Sequence, residues 1–171
     1  MKYEQGRIEV ICGSMFSGKT EELLRRLKRA NIAQQKTFVF KSQLDNRYSD
    51  SGVVSHDQNN IAAVEIKNTS VLKNFDLTEI DVVGIDEAQF LDEKIIKLVK
   101  KLADNGKRVI ITGLDTDYKG EPFTPVPELM AIADEVTKLH AVCVRCGEEA
   151  NFTYRKPDVK SNEQVLVGEK D

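Results

Sequence analysis

The residues Gly13-Ser14-Met15-Phe16-Ser17-Gly18-Lys19-Thr20 form a complete G-x-x-x-x-G-K-[ST] pattern. The chemistry that fits this spacing is capture of a nucleoside triphosphate. Its two glycines permit backbone dihedrals that other residues resist. Successive amides can then point inward at a polyphosphate, and a following helix N-terminus adds partial positive charge. Lys19 would reach the β- and γ-phosphates, and the Thr20 hydroxyl would bind Mg²⁺. Residues 8–12 before the pattern are read as an apolar run, and a helical periodicity starts near Glu21 after it. Strand, glycine loop and helix thus follow in the order that a phosphate site needs, which an ordinary glycine-rich turn does not require.

A second segment carries acid chemistry. Val82-Val83-Gly84-Ile85-Asp86-Glu87-Ala88-Gln89-Phe90 is an apolar strand ending in two carboxylates. In a phosphoryl-transfer site the first acid helps to hold Mg²⁺. Neighbouring strand residues point to opposite faces, so Glu87 can serve a different pocket from Asp86. A carboxylate beside the γ-phosphate and not spent on the metal suits a general base. Without the upstream glycine loop, a surface Asp-Glu opening a turn would be the preferred reading.

The third segment is Cys143-Val144-Arg145-Cys146-Gly147, which has zinc-knuckle spacing with a glycine where a tight turn needs one. Tetrahedral Zn²⁺ wants four ligands, and this motif supplies half of them. A redox dithiol is the rival reading, but the helix start of a thioredoxin-like motif is absent. Cys12 lies in the strand before the glycine loop and reads as a small core residue.

These residues need a scaffold. Strands are expected at 8–12, 37–41, 62–66, 82–85, 108–112 and 136–139. An amphipathic helix is expected over 21–33, with Leu23, Leu24, Leu27 and Ala30 inward and Arg25, Arg26, Lys28 and Arg29 mostly on a solvated face. A second helix spans roughly 93–103. Residues 44–60 are polar and read as a long, functional loop. Alternating strands and helices with continuous apolar strands imply an α/β fold with a mostly parallel sheet covered on both faces. Near Val142 the character changes to polar and loop-rich, so residues 1–141 are expected as the nucleotide-binding domain and 142–171 as a small second unit.

Composition narrows the function classes. With 171 residues, 40% hydrophobic and 31% charged, the chain suits one domain with a small appendage. A net charge of −3 lacks the electrostatic footprint of a general nucleic-acid binder. No apolar run approaches a membrane span. The N-terminus has no apolar signal region, and three cysteines do not suggest a disulfide framework, so the cytoplasm is the expected compartment.

The ordered set of motifs resembles the cytosolic-type (type II) thymidine kinases. The resemblance starts at Gly13 to Thr20 and the Glu-Leu-Leu-Arg-Arg that follows, and continues through Asp45-Asn46-Arg47-Tyr48-Ser49, Ser55-His56-Asp57 and Ile85 to Phe90. Gly113-Leu114-Asp115, Glu121-Pro122-Phe123, Lys138 to Cys143 and Cys146 complete it, in family order over essentially the whole chain. It implies a P-loop NTPase (RecA-like) domain with a small C-terminal zinc-binding and lasso unit. It also implies transfer of the ATP γ-phosphate to the 5′-hydroxyl of thymidine, with deoxyuridine as a further acceptor, and a homotetramer with no nucleic-acid or membrane partner.

Residue roles follow from the same resemblance. Glu87 matches the general base and Asp86 the Mg²⁺-associated acid. Asp45 and Arg47 match a loop that approaches ATP and its metal, and Gln89 matches a position near the nucleotide. Met15, Phe90, Leu114, Tyr118 and Phe123 match residues lining the thymine pocket, with Tyr118 at the position of a stacking aromatic. An apolar wall for a base would explain the bulky residues inside the phosphate loop, although core packing serves Phe16 equally well. Thr153 and the run Gln164, Val165, Leu166, Val167 and Gly168 match a lasso whose backbone groups hydrogen-bond the thymine edge. The family places a second zinc-ligand pair beyond this lasso, and the sequence reads as stopping short of it at Asp171. His140 could be a further ligand, but its place in a strand favours core packing. A nucleic-acid motor shares the loop and the Asp86-Glu87 pair, but it needs a second such domain.

Overall fold

The structure is a computed structural model and describes residues 6–42, 54–56 and 62–155. Among these, nine strands and three α-helices are found. In chain order they are β1 (Arg7–Gly13), α1 (Lys19–Ile32), β2 (Thr37–Ser42), β3 (Val54–His56), β4 (Ala62–Ile66), β5 (Val82–Asp86), α2 (Lys94–Asp104), β6 (Arg108–Gly113), α3 (Val126–Ile132), β7 (Glu135–Leu139), β8 (Ala141–Val142) and β9 (Glu149–Ala150). The main sheet has seven strands in the order β3-β4-β2-β5-β6-β1-β7. Every neighbouring pair is parallel except β3 with β4. The mostly parallel α/β expectation therefore stands. The polar stretch read wholly as a loop contains β3, and its other residues lie outside the described ones.

Strand alternation divides the core between the two sheet faces. Ile8, Val10, Cys12, Val83, Ile85, Val109 and Ile111 pack on one side with Ile95, Val99 and Leu102 of α2 and Val126 and Leu129 of α3. Ile11, Val39, Val82 and Ile110 pack on the other with Leu23, Leu27 and Ala30 of α1. The helix residues recur at i, i+4 and i+7, the spacing that lines one face. Burying a leucine in such a stripe contributes about 1.5–3 kcal/mol. Glu21 and Glu22 in the first turn of α1 and Arg29 in its last complement the helix dipole. Cys12 is fully buried, as its place in β1 implied.

The arginine face of α1 is not uniformly solvated. Arg26 is only 8% exposed and donates to Glu9 Oε2 at 2.7 Å and Glu22 Oε1 at 2.9 Å. Glu9 is wholly buried inside β1, where Arg108 grips both its oxygens and Arg7 adds an ion pair. Burial opposes the charge on Glu9, but hydrogen bonds from Arg108 and Arg26 outweigh it and hold the carboxyl below its ordinary range. The helical wheel placed Arg26 outward because the wheel cannot see a carboxylate buried in a neighbouring strand. Nor does His140 pack in the core: it is exposed, between β7 and β8. Among the described residues, no helix is long and apolar enough to cross a membrane.

Candidate active site

The glycine loop joins the C-terminal end of β1 to the start of α1 at Lys19. Gly13 has φ 142, and a Cβ there would lie 2.2 Å from the Leu139 carbonyl oxygen, so only glycine fits. Gly18 stands at φ 85 as the N-cap of α1 with no side-chain cap, which leaves the helix start open toward an anion. Phe16 adopts φ 62 at the loop apex and is 74% exposed, so the core-packing reading of this ring does not hold. Met15 is half-buried.

Lys19 is buried, and its Nζ lies 2.7 Å from the Ser14 carbonyl oxygen and 3.5 Å from Ser17 Oγ. Burial lowers its pKa, while the charges of Glu87, Asp86 and Asp115 act in the opposite direction. The ammonium is thus the positive centre of an acidic surround. Next to it, Thr20 Oγ1 is 3.2 Å from both oxygens of Asp86. The strand persists through Asp86, which is 4% exposed. A hydroxyl and a carboxylate converging this way suit a hard divalent cation such as Mg²⁺.

The adjoining strand completes the arrangement. Ile85 of β5 pairs with Ile111 of β6, which brings Asp86 and Thr112 side by side. Thr112 Oγ1 donates to Asp86 Oδ1 and accepts the Glu87 N–H at 3.2 Å. The Glu87 N–H also lies 3.1 Å from Asp86 Oδ1. Glu87 itself sits at φ 59, a left-handed backbone that costs a non-glycine residue about 1–3 kcal/mol. Its carboxylate makes its hydrogen bond on the side of the loop after β6. There Glu87 Oε2 accepts from Gln89 Nε2, while Gln89 Oε1 accepts from the Leu114 N–H at 3.1 Å. Gln89, assigned from sequence to the nucleotide, therefore joins the second carboxylate to the loop after β6.

That loop carries Leu114, Tyr118 and Phe123 of the expected base-pocket residues, and Phe90 lies in the short turn after β5. Leu114, Tyr118 and Phe90 are half-buried, and Phe123 is buried. The Arg155 guanidinium carbon lies 3.6 Å from the Tyr118 ring centroid, so one face of this aromatic is stacked by a cation. The segment ending at Arg155 also holds the glycine loop. Thr153 Oγ1 accepts the Met15 N–H at 3.1 Å, and Ser14 Oγ donates to the Ala150 carbonyl at 2.9 Å. Thr153, expected to present a backbone group to the base, uses its side chain to tie the small β8–β9 sheet to the phosphate loop. Asp45, Arg47, Gln164, Val165, Leu166, Val167 and Gly168 lie outside the described residues.

Two contributors were missed. Thr112 ends an apolar strand beside the acidic one, and that hydroxyl was the available signal. Asp115 is 6% exposed and pairs with Lys138 at 2.7 Å. Burial together with the nearby Asp115 charge pushes the Cys12 thiol up to about 11, so it stays protonated and inert.

The cysteine turn has zinc-knuckle features. The Cys146 and Arg145 amides hydrogen-bond the Cys143 sulfur and lower its pKa. Gly147, at φ 76, closes the turn with its N–H 2.8 Å from the Cys143 carbonyl oxygen. This stabilises a thiolate and fits half of a tetrahedral site. Among the described residues, no group of three or more metal-ligating side chains is assembled.

The family model described as thymidine kinase matches residues 6–171. The chain is 58% identical over 165 residues to proteins named thymidine kinase from Bacteroides thetaiotaomicron and Bacteroides fragilis, covering 96% of this chain and 81% of each relative. It is 54% identical over 165 residues to one from Porphyromonas gingivalis, covering 96% of this chain and 79% of that one. A solved structure of the flagellar accessory protein FlaH from Methanocaldococcus jannaschii matches with a TM-score of 0.58 at 14% identity, over 89% of this chain and 83% of that chain. That last likeness concerns the fold alone.

Proposed function

This chain belongs to the thymidine kinase family, and we propose that it performs the family's reaction with Glu87 as general base and the Gly13 to Thr20 loop as the ATP cradle. The expected activity is ATP-dependent phosphorylation of thymidine. The 5′-oxygen of the nucleoside bonds to the γ-phosphorus as the bond to the β,γ-bridging oxygen breaks, giving thymidylate and ADP. The observation that carries the site assignment is the convergence of Thr20, Asp86 and Glu87 at the end of β5, beside Lys19.

Each residue then has a task. The loop amides and the open α1 N-terminus bind the phosphates. Lys19 exchanges the Ser14 carbonyl for the β- and γ-phosphate oxygens. Thr20 and Asp86 would hold Mg²⁺, which would neutralise charge building up on the phosphates. Glu87, whose backbone is left-handed, takes the 5′-hydroxyl proton. Met15, Phe90, Leu114, Tyr118 and Phe123 wall the thymine. Asp45 and Arg47 approach ATP, and the lasso of Gln164, Val165, Leu166, Val167 and Gly168 pairs with the base edge; these assignments rest on the resemblance. The test is ADP release with thymidine, deoxyuridine, deoxycytidine or no acceptor. Thymidine is expected to give the highest kcat/KM, deoxyuridine to follow, and deoxycytidine to be poor. Equal release without acceptor, or stimulation by DNA instead, would overturn the reading.

The remaining parts of the proposal are structural. Residues 1–141 form the nucleotide-binding domain, and 142–171 form the zinc and lasso unit. Cys143 and Cys146 supply two ligands of a structural Zn²⁺, supported by the amide-stabilised sulfur of Cys143. A homotetramer is supported by β7, an edge strand whose Val136 is exposed. Native mass spectrometry of the protein at the relatives' full length reads both, with four chains and about one Zn²⁺ per chain expected for a closed structural site. A metal-free monomer with intact fold would refute both.

A further inference from the structure

We infer that Gln89 is a positioning residue that couples the acceptor-pocket loop to the general base. The inference rests on the assignment of Glu87 as that base. Gln89 is 4% exposed, so each polar atom of its amide needs a protein partner. Its Oε1 accepts the Leu114 N–H at 3.1 Å, and its Nε2 donates to Glu87 Oε2. The backbone N–H can only donate and the carboxylate can only accept, so the amide is oriented by its two neighbours. No other side chain of this length gives a donor to one and an acceptor to the other without carrying charge.

The geometry around the bridge is built for close approach. A Cβ at Gly113 would lie 2.6 Å from Val126 Cγ2 and 3.2 Å from Gln89 Oε1. The β6 backbone therefore reaches Gln89 only because position 113 is glycine. On the other side, Glu87 occupies a left-handed backbone with its N–H shared between Asp86 and Thr112. Its main chain is fixed, and its side chain is held at one oxygen by Gln89. Among the described residues, Oε1 of Glu87 has no hydrogen bond, which leaves it for the 5′-hydroxyl. Leu114 forms part of the proposed base pocket, so a shift of its backbone when the nucleoside seats is passed through one rigid amide to the proton acceptor. This ties base recognition to proton removal.

A double-mutant cycle tests this. Gln89→Met keeps the length and removes both hydrogen bonds; kcat is expected to fall about tenfold to a hundredfold, the scale of a misplaced catalytic group. KM for ATP stays within about twofold, because the glycine loop is untouched. In a Glu87→Gln background, the same Gln89→Met change is expected to cost less than about twofold, since the group it positions is gone. If Gln89→Met does not fold, Gln89→Glu serves the same cycle: it keeps the acceptor for Leu114 and loses the donor to Glu87. Equal losses in both backgrounds, or a kcat unchanged by Gln89→Met, would overturn the inference while leaving Glu87 as the base. A Glu87→Gln enzyme within about tenfold of the parent would remove the base assignment itself, and this inference with it.

Discussion

Glu87→Gln retains ATP affinity and loses roughly two to four orders of magnitude in kcat, the usual contribution of a general base. The amide matches the carboxylate in size, so packing around position 87 changes little. What is lost is the ability to take a proton. The hydrogen bonds of the Glu87 N–H to Asp86 and Thr112 are backbone interactions and survive the substitution. The Thr20–Asp86 contact does not involve the Glu87 side chain and survives as well. The contact with Gln89 is kept when the new amide points its oxygen at Gln89 Nε2, which leaves an NH₂ group where the free carboxylate oxygen stood. Pre-steady-state turnover with thymidine, alongside equilibrium binding of ATP, separates the two effects. Loss of ATP binding with kcat preserved would instead place Glu87 on the metal.

Lys19→Ala is expected to lower kcat/KM by about 10³-fold or more, since it removes the buried charge we propose contacts the transferring phosphate. The size follows from the surroundings. Asp86, Glu87 and Asp115 all act electrostatically on Lys19. One oxygen of Asp115 is buried without a hydrogen bond among the described residues. Without the ammonium, these carboxylates would face an incoming polyphosphate uncompensated. The loop itself should hold, because Ser14 Oγ is anchored to Ala150 and the Met15 N–H to Thr153. Thermal melting therefore serves as the control, and a fluorescent ATP analogue measures the binding loss. A near-normal rate would contradict the assignment of the phosphate loop.

These effects differ in how far they could be read along the chain. The phosphate loop was legible because its chemistry is local. Gly13, Gly18, Lys19 and Thr20 stand on one contiguous segment, and β1 and α1 flank them in the expected order. The placement of Asp86 beside Thr20 was legible only because the glycine loop upstream gave a strand-end acid something to face; alone, the Asp-Glu pair would have read as a surface turn. Arg26 was misjudged because periodicity reports which side of a helix is polar, not what that side meets. Its partner, Glu9, stood inside a stretch read as apolar. His140 was misjudged because a strand-like run does not reveal that its end leaves the sheet exposed. Gln89 was placed near the nucleotide by the resemblance alone, and its hydrogen bonds to Glu87 and Leu114 could not be read from the sequence.

By itself, the sequence determined the α/β pattern, the strand–glycine loop–helix order and the family of the catalyst. Each of these is written in residue types at short spacing, where chain geometry leaves few options. The tertiary structure decided which groups meet. Thr20 contacts Asp86 across 66 positions, and Met15 contacts Thr153 across 138. Such meetings depend on strand order and register. A shift of one residue turns every side chain of a strand to the opposite face, so register is fixed by packing of the whole sheet and not by any local segment.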